Sequence, residues 1–93
     1  MKNHALLKAI VYFDIVMKTG SFKVAATHIG VSPGAVGQQI SKLETWLKLD
    51  LFIRETRKIR PTDTAINYWR QVKPALEKID AINIQTKRKN QSM

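Results

Sequence analysis

Apolar residues recur at helical spacing in successive stretches of this chain, and glycine or polar breaks between them mark where helices end. From His4 to Lys18, Leu6, Ile10, Phe13 and Val16 fall on one face, and "KTGSF" breaks the pattern at Gly20. Ser21 then stands where a hydroxyl accepts the first free amide of a helix, and Phe22, Ala25, Ala26 and Ile29 form the inward stripe of a short second helix. "IGVS" ends it. Gly30 can take the positive φ of a tight turn, Val31 points inward, Ser32 caps the next helix, and Pro33 occupies its first position. In that third helix Val36, Ile40, Leu43 and Leu47 step by four, three and four, so they share one face and belong to the core.

Beyond the third helix, "LFIRETRKIR" reads as two short extended pieces around Glu55 and Thr56, a β-wing whose turn carries neither glycine nor Asn-Gly. A long helix is expected from Thr62 to about Gln85, with Ala65, Trp69, Val72, Leu76 and Ile79 alternating at spacings of four and three, a coiled-coil-like seam. Pro74 removes one backbone hydrogen bond, so a kink or local break is expected there. The closing "TKRKNQSM" is polar and basic and reads as a frayed tail. The chain thus divides into residues 1–61, 62–85 and 86–93, with no internal repeat.

Composition narrows the function. Ninety-three residues allow one core, and 44% apolar residues are enough to fold it. Sixteen Lys and Arg against seven Asp and Glu leave a formal charge of +9, which points to a polyanionic partner. The absence of cysteine excludes disulfides and thiolate metal sites. Scattered carboxylates, the remote pair His4 and His28, and the lack of a phosphate-binding glycine loop provide no catalytic set, cofactor site or metal site. Lys8 and Asp14 interrupt the first apolar stretch, so neither a signal peptide nor a membrane span is read there, and the cytoplasm is the expected location.

Ala26, Gly30 and Val36 stand as a helix-turn-helix requires: a small residue where two helices touch, glycine in the turn, and an apolar anchor on the second helix. The fold expected is mainly α, a winged helix-turn-helix of three helices plus a short β-wing, followed by a long linker helix. With Val36 and Ile40 inward, Gly34, Gln38, Ser41 and Thr45 lie on the opposite face. Gln38 suits adenine in a major groove, Ser41 suits several bases or a phosphate, and Lys42 can reach a phosphate or guanine. Glycine costs up to ~1 kcal/mol in a helix interior. Either Gly34 and Gly37 let the backbone approach DNA, or Gly34 simply begins a helix whose first turn tolerates it and Gly37 packs against another helix. Ser21 and Ser32 are caps whose helix ends can also offer amides to phosphate. Lys23 is either a phosphate contact or a solvated charge.

The stretch "IVYFDIVMKTGSFKVAATHIGVSPGAVGQQISKLETWLKLDLFIRETRKIRPT" resembles the N-terminal winged helix-turn-helix of LysR-type transcriptional regulators. It carries Gly-Ser-Phe, Ala-Ala, Val-Ser, Ala-Val, Gln-Ile, Leu-Glu and Leu-Phe-x-Arg landmarks in order. The resemblance covers Ile10 to about Ile82 and implies a domain that binds double-stranded DNA as a dimer. It further implies that the long helix pairs the protomers and that the wing sits beside the recognition helix, residues 33–48. Departures are Gly34-Ala35-Val36-Gly37 where Pro-Ala-Val-Ser is common, Lys48 for the usual glycine after the third helix, and Thr64-Ala65 for the usual Ala-Gly. The effector-binding domain of full-length members is not expected within these residues, so no effector site is assigned.

Arg54, Arg57 and Lys58 are the wing's candidates for the DNA backbone or minor groove. For Arg54 an ion pair with Glu44 is the competing reading, and Lys58 and Arg60 are expected on alternate sides of the wing. Trp46 and Trp69 read as packing residues. Leu76 and Ile79, beyond Pro74, have too little of the chain left to cover them, which argues for a partner helix along Ala65, Trp69, Val72, Leu76 and Ile79 and hence a homodimer. A tetramer, a heterodimer with a full-length relative, or an RNA-binding helix-turn-helix are the alternatives.

Overall fold

In a computed structural model that describes the backbone of residues 4–91 and the side chains of residues 6–89, the chain forms a mainly helical fold. Its elements are α1 (His4–Thr19), α2 (Phe22–Ile29), α3 (Pro33–Leu47), β1 (Phe52–Glu55), β2 (Lys58–Pro61) and α4 (Asp63–Gln91). The Ser21 hydroxyl accepts the Val24 N–H and the Ser32 hydroxyl accepts the Ala35 N–H, each at 3.1 Å. Such caps are worth about 1 kcal/mol apiece. Gly30 takes a φ of 86°, and its N–H and that of Val31 both donate to the Ala26 carbonyl, closing the turn that aims α3.

Ala25 and Ala26 are small enough to let α2 lie close to its neighbours, and around them Ala9, Phe13, Val16, Val36, Ile40, Leu43, Leu51 and Ala65 are buried. Phe13 occupies the centre. Its ring centroid lies 5.9 Å from that of Phe52, at the start of the wing, and 5.5 Å from Tyr68 on α4. Phe52 in turn meets Phe22 edge-on at 5.8 Å. Burial pushes the Tyr68 phenol above its ordinary pKa, so it stays neutral where it packs.

Glu44 ties the end of α3 to the wing, because its carboxylate accepts the N–H groups of Leu51 at 2.8 Å and Phe52 at 3.4 Å. Thr62 closes the hairpin base: its N–H donates to Leu51, its hydroxyl donates to the Asp50 carbonyl, and the same oxygen accepts the Ala65 N–H that opens α4. The strands pair antiparallel from Phe52 with Pro61 to Glu55 with Lys58. That register leaves Thr56 and Arg57 as the turn, and Arg57 adopts a φ of 66° where glycine or asparagine is usual.

Two expectations for α4 change. The helix runs unbroken through Pro74, which is exposed. The amide that proline lacks would have met the carbonyl of Arg70, also exposed, so water can satisfy it. The helix also continues past Gln85 to Gln91, which places most of the expected tail in helix, while Ser92 and Met93 lie outside the described residues.

Asp14, buried on α1, fixes how α4 docks. Its carboxylate accepts the indole N–H of Trp69 at 2.9 Å and pairs with Lys18 at 3.0 Å. Trp69→Phe, which leaves the carboxylate with Lys18 alone, is expected to lower stability by about 1–3 kcal/mol in denaturant unfolding. Trp46→Phe is expected to change it by less than about 0.5 kcal/mol, because Trp46 is 59% exposed.

Candidate nucleic-acid interface

The outward face of α3 is polar. Gly34, Gln38, Ser41, Lys42 and Thr45 are exposed, opposite the buried Val36, Ile40 and Leu43, and Ser32 and Pro33 extend the exposed surface at its start. The two glycines differ. A Cβ on Gly34 would meet only the Ser32 hydroxyl at 3.9 Å, whereas one on Gly37 would rest 3.8 Å from the Phe22 ring. Gly37 is therefore half-buried at the contact between α2 and α3, and Gly34 is the glycine that leaves backbone open on the exposed face.

Beside this face, Ser21, Lys23, Arg54, Arg57 and Lys58 line one open concavity between the start of α2 and the wing. The Arg54 guanidinium lies over the Phe22 ring, 5.1 Å from its centroid. It does not pair with Glu44, whose carboxylate is taken by the backbone of Leu51 and Phe52. Stacking holds the Arg54 head at the concavity without neutralising it.

Strand pleating places Lys58 and Arg60, two residues apart, on the same side rather than on alternate sides. Both reach Glu55, at 3.8 Å and 3.4 Å. One carboxylate thus offsets part of their charge, while among the described residues Lys23, Lys42 and Arg57 have no ion pair.

Trp46 is not a packing residue. It is exposed on α3, although its apolar neighbours Leu43 and Leu47 pack in or against the core. Burial along the α4 seam is graded. Ala65 is fully buried, and Trp69 and Val72 are partly buried against the chain's own core. Leu76 is half-buried, and Ile79 and Ile82 stand 48% and 51% exposed.

Lys48, which stands in sequence where a glycine is usual, was not among the residues read there as DNA contacts. It ends α3 with a φ of 61° and lines a second concavity together with Ser41 and Thr45. The signal available was a lysine where the helix must stop and no glycine stops it. Among the described residues no group of three or more His, Asp or Glu side chains could hold a metal, and no helix is long and apolar enough to cross a membrane.

A helix-turn-helix whose second helix shows a polar outer face, beside a basic wing, is a DNA-binding module and not an enzymatic fold. Residues 7–65 match the family described as bacterial regulatory helix-turn-helix protein, lysR family, and the chain belongs to that family. It is the DNA-binding helix-turn-helix domain of a LysR-type regulator. The uncharacterized HTH-type transcriptional regulator YcaN of Escherichia coli (strain K12) is 34% identical over 67 residues, 72% of this chain and 22% of that protein. The HTH-type transcriptional regulator AceR of Acinetobacter baumannii is 45% identical over 56 residues, 60% of this chain and 19% of that protein. The chain spans about a fifth of the length of these curated relatives. Among solved structures, the BenM DBD/catB site 1 DNA complex aligns with a TM-score of 0.79 at 27% identity, covering 88% of both chains.

The space at Gly37 gives a prediction. Because a Cβ there would make only ordinary contact with Phe22, Gly37→Ala is expected to raise stability by about 0.5–1 kcal/mol in thermal unfolding and to leave DNA affinity near its starting value. Gly34→Gln, in open space on the exposed face, is expected to lower affinity without lowering the melting temperature.

Proposed function

We propose that this domain reads double-stranded DNA sequence-specifically as a twofold homodimer in the bacterial cytoplasm, with α3 in the major groove and the wing on the adjacent backbone or minor groove. The observation that carries this reading is the exposed face of Gly34, Gln38, Ser41 and Thr45 running beside a concavity lined by Lys23, Arg54 and Arg57. The similarity to a domain solved in a DNA complex supports it. In this reading Gln38 and Ser41 contact base edges, since a glutamine can bond adenine at two positions. Ser21, Lys23, Ser32, Pro33, Lys42, Arg54, Arg57 and Lys58 meet the sugar-phosphate strands that flank them.

The dimer rests on the outer part of α4. Leu76, Ile79 and Ile82 offer apolar surface that the chain's own core does not cover, and a second copy of the same helix is the self-complementary partner. Mixed pairs with a longer relative, and tetramers, would use the same stretch.

Selection of bound sequences from random duplex DNA at moderate salt tests the proposal. A twofold motif is expected, with half-sites one helical turn, about 34 Å, or a multiple apart. Binding without enrichment would overturn the specific reading. Ile79→Asp is expected to shift the protein to monomers in sedimentation and to reduce the selected motif to a weak half-site.

Arg57 separates binding from folding. Its left-handed backbone costs an L-residue about 1–2 kcal/mol that glycine avoids. Arg57→Gly is therefore expected to keep or raise the melting temperature, to weaken all duplex sequences alike, and to reduce the slope of log affinity against log salt by about one. An unchanged slope would remove Arg57 from the interface.

A further inference from the structure

Lys48 and Arg57 are the two non-glycine residues with positive φ among the described residues, at 61° and 66°. Both are cationic: Arg57 lines the concavity between the wing and the start of α2, and Lys48, at the end of α3, lines the one that holds Ser41 and Thr45. Glycine would occupy either backbone without strain. A long cationic side chain held in a conformation that disfavours it suggests a function for that side chain.

We infer that Lys48 is a further phosphate-binding residue at the C-terminal end of the recognition surface; the inference rests on the DNA-binding reading given above. Lys48 lines the same concavity as Ser41 and Thr45, two residues of the outer face of α3. The span from Gly34 to Lys48 is about 21 Å along the helix axis. A major groove is about 12 Å wide. A helix with its first turns inside such a groove meets a sugar-phosphate strand near its last turn, which is where Lys48 stands.

The side chain is available for this. Lys48 is exposed and makes no ion pair among the described residues, where the Glu44 carboxylate in the same concavity already accepts two backbone N–H groups. Asp50 also lines this concavity, and without the charge of Lys48 the carboxylates of Glu44 and Asp50 would leave it negative and repel phosphate. The backbone of Lys48 does only a capping task, its N–H donating to the Glu44 carbonyl, and glycine performs that task equally well.

A structural account competes. A lysine at a helix C-terminus complements the helix dipole, and α3 has no other basic residue in its last turn. The two accounts differ in what removing the charge does. With the whole domain and a selected duplex, affinity would be measured across a salt series for wild type, Lys48→Gln, Lys48→Gly and the control Lys78→Gln, with melting temperatures alongside.

A phosphate contact predicts that Lys48→Gln and Lys48→Gly each lower the salt slope by about one and weaken binding several-fold, up to about tenfold at 0.1 M salt. Lys48→Gly would melt at or above the wild-type temperature. Lys78→Gln, which removes the same charge from an exposed position on α4, would change the slope by clearly less. A slope unchanged in Lys48→Gln, or a loss no larger than that of Lys78→Gln, overturns the inference while leaving the DNA-binding reading intact. Wild-type binding that ignores salt would instead overturn the reading beneath it.

Discussion

The buried ring of Phe13 is the contact on which the other elements are registered. It faces Phe52 at the root of the wing and Tyr68 at the start of α4, and Phe52 carries the contact on to Phe22 at the first position of α2. Aromatic pairs of this kind add about 0.5–1.5 kcal/mol each beyond the area they bury. Their geometric effect matters more here, since rings resist sliding past one another. Four elements with little regular hydrogen bonding between them are thereby held at fixed relative positions. The Arg54 guanidinium, resting on Phe22, inherits its place from the same cluster.

Much of this fold was legible in sequence because it depends on local periodicity and on residues with narrow conformational roles. Ser21, Gly30, Ser32 and Pro33 cap or turn the chain where the pattern places them, and Val36, Ile40 and Leu43 are buried as their spacing requires. What was not legible depends on tertiary partners. Nothing local says that the Trp69 indole finds Asp14 fifty-five positions away, or that Trp46 finds no partner of its own. The ion pair imagined between Arg54 and Glu44 failed for a related reason: a carboxylate is a strong acceptor for backbone N–H groups, and Leu51 and Phe52 present two.

The candidate site was legible in part. The outer face of α3 follows from rotation about the helix axis once Val36 and Ile40 are placed inward. The two glycines could not be told apart by periodicity, because what separates them is the Phe22 ring, which comes from another helix. In the wing the charges sort by strand alternation: Glu55 draws Lys58 and Arg60 to one side, and Arg54 faces the α2 side. Arg54 and Arg57 therefore face the concavity that the wing shares with the start of α2. A charge count alone would have treated all four cations alike.

The division of α4 has a mechanical consequence. Its inner part is fixed to the helix-turn-helix through Tyr68 against Phe13 and Trp69 against Asp14, while its outer part exposes Ile79 and Ile82. A helix that joins a docked end to the end proposed for pairing transmits geometry: in that twofold pair, the angle at which α4 leaves the core would set the separation of two recognition helices. Pro74 lies between the two parts, yet the helix continues through it. In the proposed twofold pair, half-site spacing would then be set by buried contacts around Phe13 and Asp14, which lie in the core and away from DNA.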